Sequence, residues 1–257
     1  MSEPYVIASH ENSISRLILN RPKAFNALSE GMLDALQHEL INLPESCRVV
    51  VIAAGGKAFC AGHDLKQMRQ QSEQAYFEGL FKRCSDLMTT ILTIRQPVIA
   101  EVQGLATAAG CQLVATCDLA VAVKSATFAV SGINVGLFCS TPSVALSRNI
   151  NRKRAMQLLM TGDFIDADTA VDWGLINSAV DAEELTASVN ALAEKIKAKS
   201  EVAVSTGKEL FYQQLERGVS GAYEIAGQAM ACNMMAKDVA EGIDAFVEKR
   251  KPEWQHR

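Results

Sequence analysis

Three short, mostly apolar runs at residues 48–54 (RVVVIAA), 97–102 and 118–123 constrain this chain more than any other feature. Runs of this length without polar alternation suit strands buried on both faces, as in a parallel sheet. Parallel strands need long crossovers, and the intervening sequence has helical periodicity. Residues 72–95 carry Leu80, Cys84, Leu87, Met88 and Ile91 on one stripe, and residues 108–117 suit a short helix. The alternation of strand and helix predicts an α/β fold. Residues 13–20 read as an earlier strand, stopped by Arg21-Pro22, and Ser29 as the N-cap of a helix with Met32, Leu33, Leu36 and Leu40 on one face. Further on, residues 152–161, 167–173, 182–199, 201–217 and 238–251 suit helices, and only 175–180 looks like a late strand. The expected architecture is an α/β core followed by a helical C-terminal part. No repeat period is detectable.

A chain of 257 residues can bury a large core, and 49% apolar with 21% charged residues excludes disorder as the main state. The net charge of −4 argues against a nucleic-acid backbone binder. Seven cysteines without a C-x-x-C pair suggest reduced, buried thiols in a reducing compartment. Residues 1–5 offer no basic or apolar targeting run, so no signal or transit peptide is expected. The uncharged stretch 125–147 is too interrupted by Gly132, Asn134, Gly136 and Pro142 for a bilayer helix. A soluble cytoplasmic protein, with neither membrane nor nucleic acid as partner, is the expectation.

The familiar dinucleotide, P-loop and nucleophile-elbow glycine motifs are absent, and His10, His38, His63 and His256 lack metal-ligand spacing. Two segments stand out instead, residues 55–65 (GGKAFCAGHDL) and 103–113 (QGLATAAGCQL). Each sets small residues where a helix follows a buried strand. The first turn of a helix has unpaired N–H groups and the positive end of the helix dipole. Two such loops facing each other would offer paired donors to one oxygen, an oxyanion hole; glycine-rich turns alone would explain the same pattern.

The segments LNRPKAFNAL (19–28), FCAGHDLK (59–66), GLA (104–106), CDLA (117–120) and LMTG (159–162) together resemble the crotonase, or enoyl-CoA hydratase/isomerase, superfamily. Residues 104–118 and 132–142 point to one subgroup within it. The resemblance implies a spiral of repeated ββα units with C-terminal helices that form trimers, often stacked as hexamers. It divides the chain into an acyl-CoA-binding core (1–190) and a helical oligomerisation region (191–257). It implies a role in fatty-acid metabolism, with a coenzyme A thioester as substrate, no separate cofactor and no metal. The thioester carbonyl would lie between the backbone N–H groups of His63 and Ala109. Lys23, Ala24, Phe25, Ala61, Gly62, Asp64, Leu65, Lys66, Leu105, Gly110 and Asn134 would surround the substrate, with the lysines near phosphates.

Hydration of a double bond needs positioned carboxylates. The family hydratases carry two glutamates, at positions that here hold Gln112 and Gly132. An amide is no base near neutral pH and glycine offers no side chain. The resemblance therefore implies a crotonase-type lyase, while these residues argue against hydratase activity. Two alternatives stay open. One is decarboxylation of a malonyl- or methylmalonyl-type thioester, whose family enzymes share the A-G-H-D histidine but have a tyrosine near the place of Cys139. The other is an acyl-CoA binder without turnover, since fold does not fix function.

Overall fold

The computed structural model describes residues 3–256. With strands numbered along the chain, the apolar runs form the middle of a six-stranded sheet. Its order is β1 (Val6–Glu11), β2 (Ile14–Leu19), β3 (Val49–Ala54), β5 (Val98–Val102), β7 (Leu119–Val123), β10 (Ser178–Val180). From β2 to β10 the pairing is parallel, and β1 and β2 form an antiparallel pair. A second sheet orders β4 (Ala58–Cys60), β6 (Leu105–Thr107), β8 (Thr127–Ala129) and β9 (Ile165–Asp166), with β4, β6 and β8 parallel.

The chain winds as a spiral. Each turn lays one strand in the first sheet and then one in the second: β3 then β4, β5 then β6, β7 then β8. Helix α1 (Glu30–Ile41) precedes the first such turn; α2 (Leu65–Arg69) and α3 (Gln74–Thr93) close it. Helix α4 (Ala109–Thr116) closes the second, and α5 (Ser140–Asn149) follows β8 after a 3-10 turn at Ser131–Val135. β3, β5 and β7 begin at residues 49, 98 and 119, so the structural repeat has no fixed period in the sequence. Ser29 caps α1 by accepting from Met32 N–H, and the Met32, Leu33, Leu36, Leu40 face is buried as predicted.

The remaining helices are α6 (Arg152–Thr161), α7 (Ala167–Trp173), α8 (Leu185–Lys197), α9 (Glu201–Leu215), α10 (Val219–Asn233) and α11 (Lys237–Glu248). The division expected at residue 190 falls inside α8, which packs on β3, β5 and β7. Helix α5 occupies part of the interrupted uncharged stretch. Its Pro142 lies in the first turn, where a missing N–H breaks no helical bond. Among the described residues no helix is long and apolar enough to cross a membrane. All seven cysteines are free, six of them buried.

A buried ion pair pins α9 to the core. Lys208 Nζ donates to the carbonyls of Ile91 (2.7 Å) and Gln96 (2.8 Å) and to Asp118 Oδ2 (2.7 Å). Asp118 also accepts from Tyr212 Oη (2.7 Å) and from Val98 N–H (2.6 Å). The aspartate of the CDLA segment thus joins the starts of β5 and β7 to the C-terminal helices.

Candidate active site

Parallel pairing sets the carboxyl ends of β4, β6 and β8 side by side, the place where parallel α/β sheets receive ligands. The loops that leave these ends line one cavity of about 260 Å³. Ala61 and His63 come from the first loop, Ala108 and Ala109 from the second, Ser131 and Gly132 from the third. Met68 and Phe81 close one side, and Leu137, Phe138 and Cys139 another. No Asp, Glu, Lys or Arg lies on this wall among the described residues.

Glycines bring the first two loops into contact. Gly62 has φ +89°, and a Cβ on it would lie 2.8 Å from Ala108 Cβ and 3.2 Å from Ala109 N. A Cβ on Gly110 would lie 2.0 Å from the Cys60 carbonyl oxygen, so α4 rests directly on the backbone of β4. Ala109 is the first residue of α4, and its N–H has no carbonyl partner within the helix. Ala108, the N-cap, supplies no side-chain hydrogen bond to this turn.

Ala108 has φ 51° and ψ −122°, a backbone conformation suited to glycine. Holding a Cβ there costs about 1–3 kcal/mol, against which glycine's extra freedom in the unfolded chain weighs less. Ala108→Gly is expected to raise stability by about 1 kcal/mol, seen as a melting temperature about 2–4 °C higher.

The segment 21–28 braces the first loop. Asn26 is fully buried and accepts from Arg21 N–H (2.8 Å), while its Nδ2 donates to the carbonyls of Gly55 and Ala58 (both 2.8 Å). Ala61 N–H donates to Phe25 O (3.0 Å), and Leu28 N–H to Gly62 O (2.7 Å). Leu28 also receives the His63 ring: Nδ1 lies 3.2 Å from its carbonyl oxygen. A carbonyl only accepts, so Nδ1 carries the proton. Nε2 is buried without a partner, and the ring meets Phe81 edge-on at 5.5 Å. Burial holds the ring below the ordinary imidazole range, partly offset by the Leu28 hydrogen bond. His63 is therefore neutral at pH 7, with its lone pair on Nε2.

Ala61, His63, Leu65, Ala109 and Gly132 lie on the cavity wall. Gly62 and Gly110 act beneath it, by allowing close backbone contact. Asp64 caps α2, accepting from Lys66 N–H (3.0 Å) and Gln67 N–H (3.1 Å). Lys23, Phe25 and Lys66 are exposed, and Ala24 and Leu105 half-buried. Asn134 turns its amide toward Gly162, where a Cβ would lie 2.9 Å from its Nδ2. Gln112 is buried on the wall of a neighbouring, second cavity. At Gly132 a Cβ would fall 2.7 Å from both Cys139 Sγ and the Leu137 carbonyl oxygen. That thiol and carbonyl fill the space a side chain at this position would need.

Sequence reasoning missed Met68 and Phe81. Phe81 lies off the buried stripe of α3, and nothing local to it signals which loop its other face meets. Ser131 shares a 2.8 Å hydrogen bond with Thr107, which fixes its hydroxyl at the cavity edge. Burial pushes the Cys139 thiol up, away from the thiolate form that reacts.

The chain belongs to the enoyl-CoA hydratase/isomerase family, whose model matches residues 9–257. The subgroup suggested by residues 104–118 and 132–142 is enoyl-CoA hydratase domain-containing protein 3. The mitochondrial protein of that name from Xenopus laevis is 44% identical over 98% of this chain and 87% of its own length. The crystal structure of the human protein of that name superposes with a TM-score of 0.94 at 43% identity, covering 98% of this chain and 100% of that one. An enoyl-CoA hydratase from Mycobacterium smegmatis gives 0.97 at 55% identity, covering 98% and 99%. The crotonase-type α/β fold expected from the sequence is thus the fold of the chain. The cytoplasmic expectation is corrected: the Xenopus relative and its rat and human counterparts are named mitochondrial. The reading of residues 1–5 had nothing to weigh except the absence of a targeting pattern.

Proposed function

We propose that this cavity binds a coenzyme A thioester with its carbonyl oxygen between the N–H groups of His63 and Ala109. The observation that carries this reading is the contact of the Gly62 loop with the first turn of α4, at the mouth of a cavity without carboxylates. Donors fixed in place stabilise the oxygen more as it gains charge, so the thioester enolate is the species favoured. Hydration is not its efficient reaction. No carboxylate on the wall activates water, Gln112 cannot replace one, and Gly132 has no room for one.

Such a site best serves a substrate that makes its own enolate. Loss of CO2 from a malonyl-type thioester leaves the bond pair on the α-carbon and requires no base. The His63 tautomer does not favour side-chain help in that step, because Nε2 offers a lone pair, not a proton, to a carboxylate. The mostly apolar wall supports the second reading, an acyl-CoA binder without turnover. In either case the substrate is the thioester itself, with no further cofactor. Self-association as a trimer or a dimer of trimers is part of the proposal. Helix α10 buries no residue, and Val219, Tyr223, Met230 and, in α11, Phe246 stand exposed.

A mass-spectrometric time course with 2-enoyl, 3-enoyl, malonyl and methylmalonyl thioesters tests this reading. The comparison is Ala109→Pro placed on Ala108→Gly, against Ala108→Gly alone: the first helical position accepts proline, and a glycine before it has no Cβ to meet the proline Cδ at the backbone angles of residue 108. Thioester binding that weakens about tenfold or more in the variant is expected, with no gain of water by the enoyl substrates. Efficient gain of water would contradict the argument from the missing carboxylates. Loss of CO2 would name the reaction, and binding without any mass change would favour the second reading.

A further inference from the structure

Ser131 is the first residue of the 3-10 turn that follows β8, and Thr107 is the last residue of β6. The two strands run parallel with Thr107 beside Ala129, and Ala108 N–H donates to Ala129 O (3.0 Å). The turn is thus tied to the strand end from which α4 starts. Thr107 is only 8% exposed, whereas Ser131 is half-buried and stands on the wall of the first cavity. Their hydroxyls lie 2.8 Å apart, and neither has another hydrogen-bond partner among the described residues.

Two hydroxyls that share one hydrogen bond use only one of their two protons. Thr107, the more buried, has only Ser131 to donate to. An unpaired donor inside a protein is costly, so Thr107 donates and Ser131 accepts. The Ser131 proton is then the free one, on the residue that lines the cavity. Of the other hydroxyls on this wall, Ser140 donates to Phe138 O (3.4 Å), and Thr141 lies where the two cavities meet. Neither is steadied by a second side chain, as Ser131 is. Thr107 stands two residues before Ala109, so their Cα atoms are no more than about 7 Å apart. The Ser131 donor therefore lies at the same end of the cavity as the Ala109 N–H.

We infer that Ser131 recognises a second carbonyl oxygen on the acyl group, and that the substrate class is a 3-oxoacyl thioester. The inference rests on the thioester reading and deepens it by naming that class. The 3-oxo oxygen accepts from Ser131, two carbons along the chain from the thioester carbonyl. A neutral ketone suits a wall without Lys or Arg, provided that a donor meets its oxygen. Its C2 proton, between two carbonyls, is acidic enough to pass to water, and the bond pair left behind spreads over both oxygens. Holding that enolate requires donors at each oxygen and no carboxylate base.

Calorimetric titration of the full chain with hexanoyl-CoA and 3-oxohexanoyl-CoA tests it. The 3-oxo thioester should bind the wild type about tenfold tighter, the effect of one added hydrogen bond in an apolar site. In Ser131→Ala the ratio should fall to about one, with hexanoyl-CoA bound as before. Thr107→Val should lower the ratio and Thr107→Ser restore it, as befits a group that aims the Ser131 proton. The near-ultraviolet band of the 3-oxo enolate gives a second readout. It should appear at lower pH on the wild type than in water, and closer to its position in water on Ser131→Ala. Should Ser131→Ala fail to fold, Ser131→Cys, with a weaker donor of similar size, should still lower the ratio. Equal binding of the two thioesters by the wild type would overturn the inference and leave the thioester reading standing. A 3-oxo preference unchanged in Ser131→Ala would also overturn it. If neither thioester binds, the thioester reading falls, and this inference with it.

Discussion

Gly110→Ala is expected to lose about 3–5 kcal/mol of stability, more than most single methyl additions to a protein core. The added Cβ would lie 2.0 Å from the Cys60 carbonyl oxygen and 2.7 Å from its carbon. Both are backbone atoms of β4, so no rotamer change relieves the contact. Helix α4 has to move off the strand, and Ala109 N moves with it relative to His63. The melting temperature should drop by about 10 °C, and thioester binding should be weak even well below the melt. Gly207→Ala, on α9 with nothing within 4 Å of its Cβ, is the matched comparison. It should be neutral or stabilising by up to about 1 kcal/mol, because alanine is the better helix former. A Gly110→Ala protein that melts with the wild type would mean that α4 and β4 are not in this contact.

Lys208→Met should be of similar size, by a different mechanism. The lysine side chain is 6% exposed and the Asp118 side chain 14% exposed. Removing one partner leaves the aspartate charge and two carbonyls buried without their cation, which costs about 3–5 kcal/mol. Removing both charges, with Lys208→Met and Asp118→Asn together, should cost less than the sum of the single changes by about 1–3 kcal/mol. Chemical denaturation of the four proteins measures this coupling. Additive losses would show that the two side chains do not act as a pair.

The sequence revealed the first sheet more fully than the second. The strands β3 and β7 are continuous apolar runs and β5 is broken only by Glu101, which pairs with Arg16; nearly every residue of the three is buried, and α8 packs on all of them. By contrast β4, β6 and β8 have three residues each, too few for a period; β4 and β6 fall inside the segments read as loops, and β8 went unassigned. These strands nevertheless aim the three loops at one cavity. β1 was missed for another reason: it is an edge strand with mostly exposed side chains, VIASHE. α10 was missed because it buries nothing in the single chain, so no apolar stripe marks it.

The candidate site was legible where backbone constraint dictates residue type. Gly62 and Gly110 mark the loop contact because a side chain at either would clash. Asn26 belongs to a segment whose motif is visible, yet its bracing role depends on carbonyls at Gly55 and Ala58, far along the chain. The lack of a side chain at position 132 was visible as a glycine. That Cys139 and Leu137 occupy the space beside it was not, since it depends on how residues 132–139 fold back.

The most direct test of the carbonyl site is the carbon-13 NMR resonance of a thioester labelled at its carbonyl carbon, free and bound. Two N–H groups converging on the oxygen polarise the C=O bond, so the bound resonance should move downfield. Ala109→Pro placed on Ala108→Gly should reduce that displacement relative to Ala108→Gly alone while the protein stays folded. A bound thioester whose carbonyl resonates where it does in water would contradict the placement between His63 and Ala109.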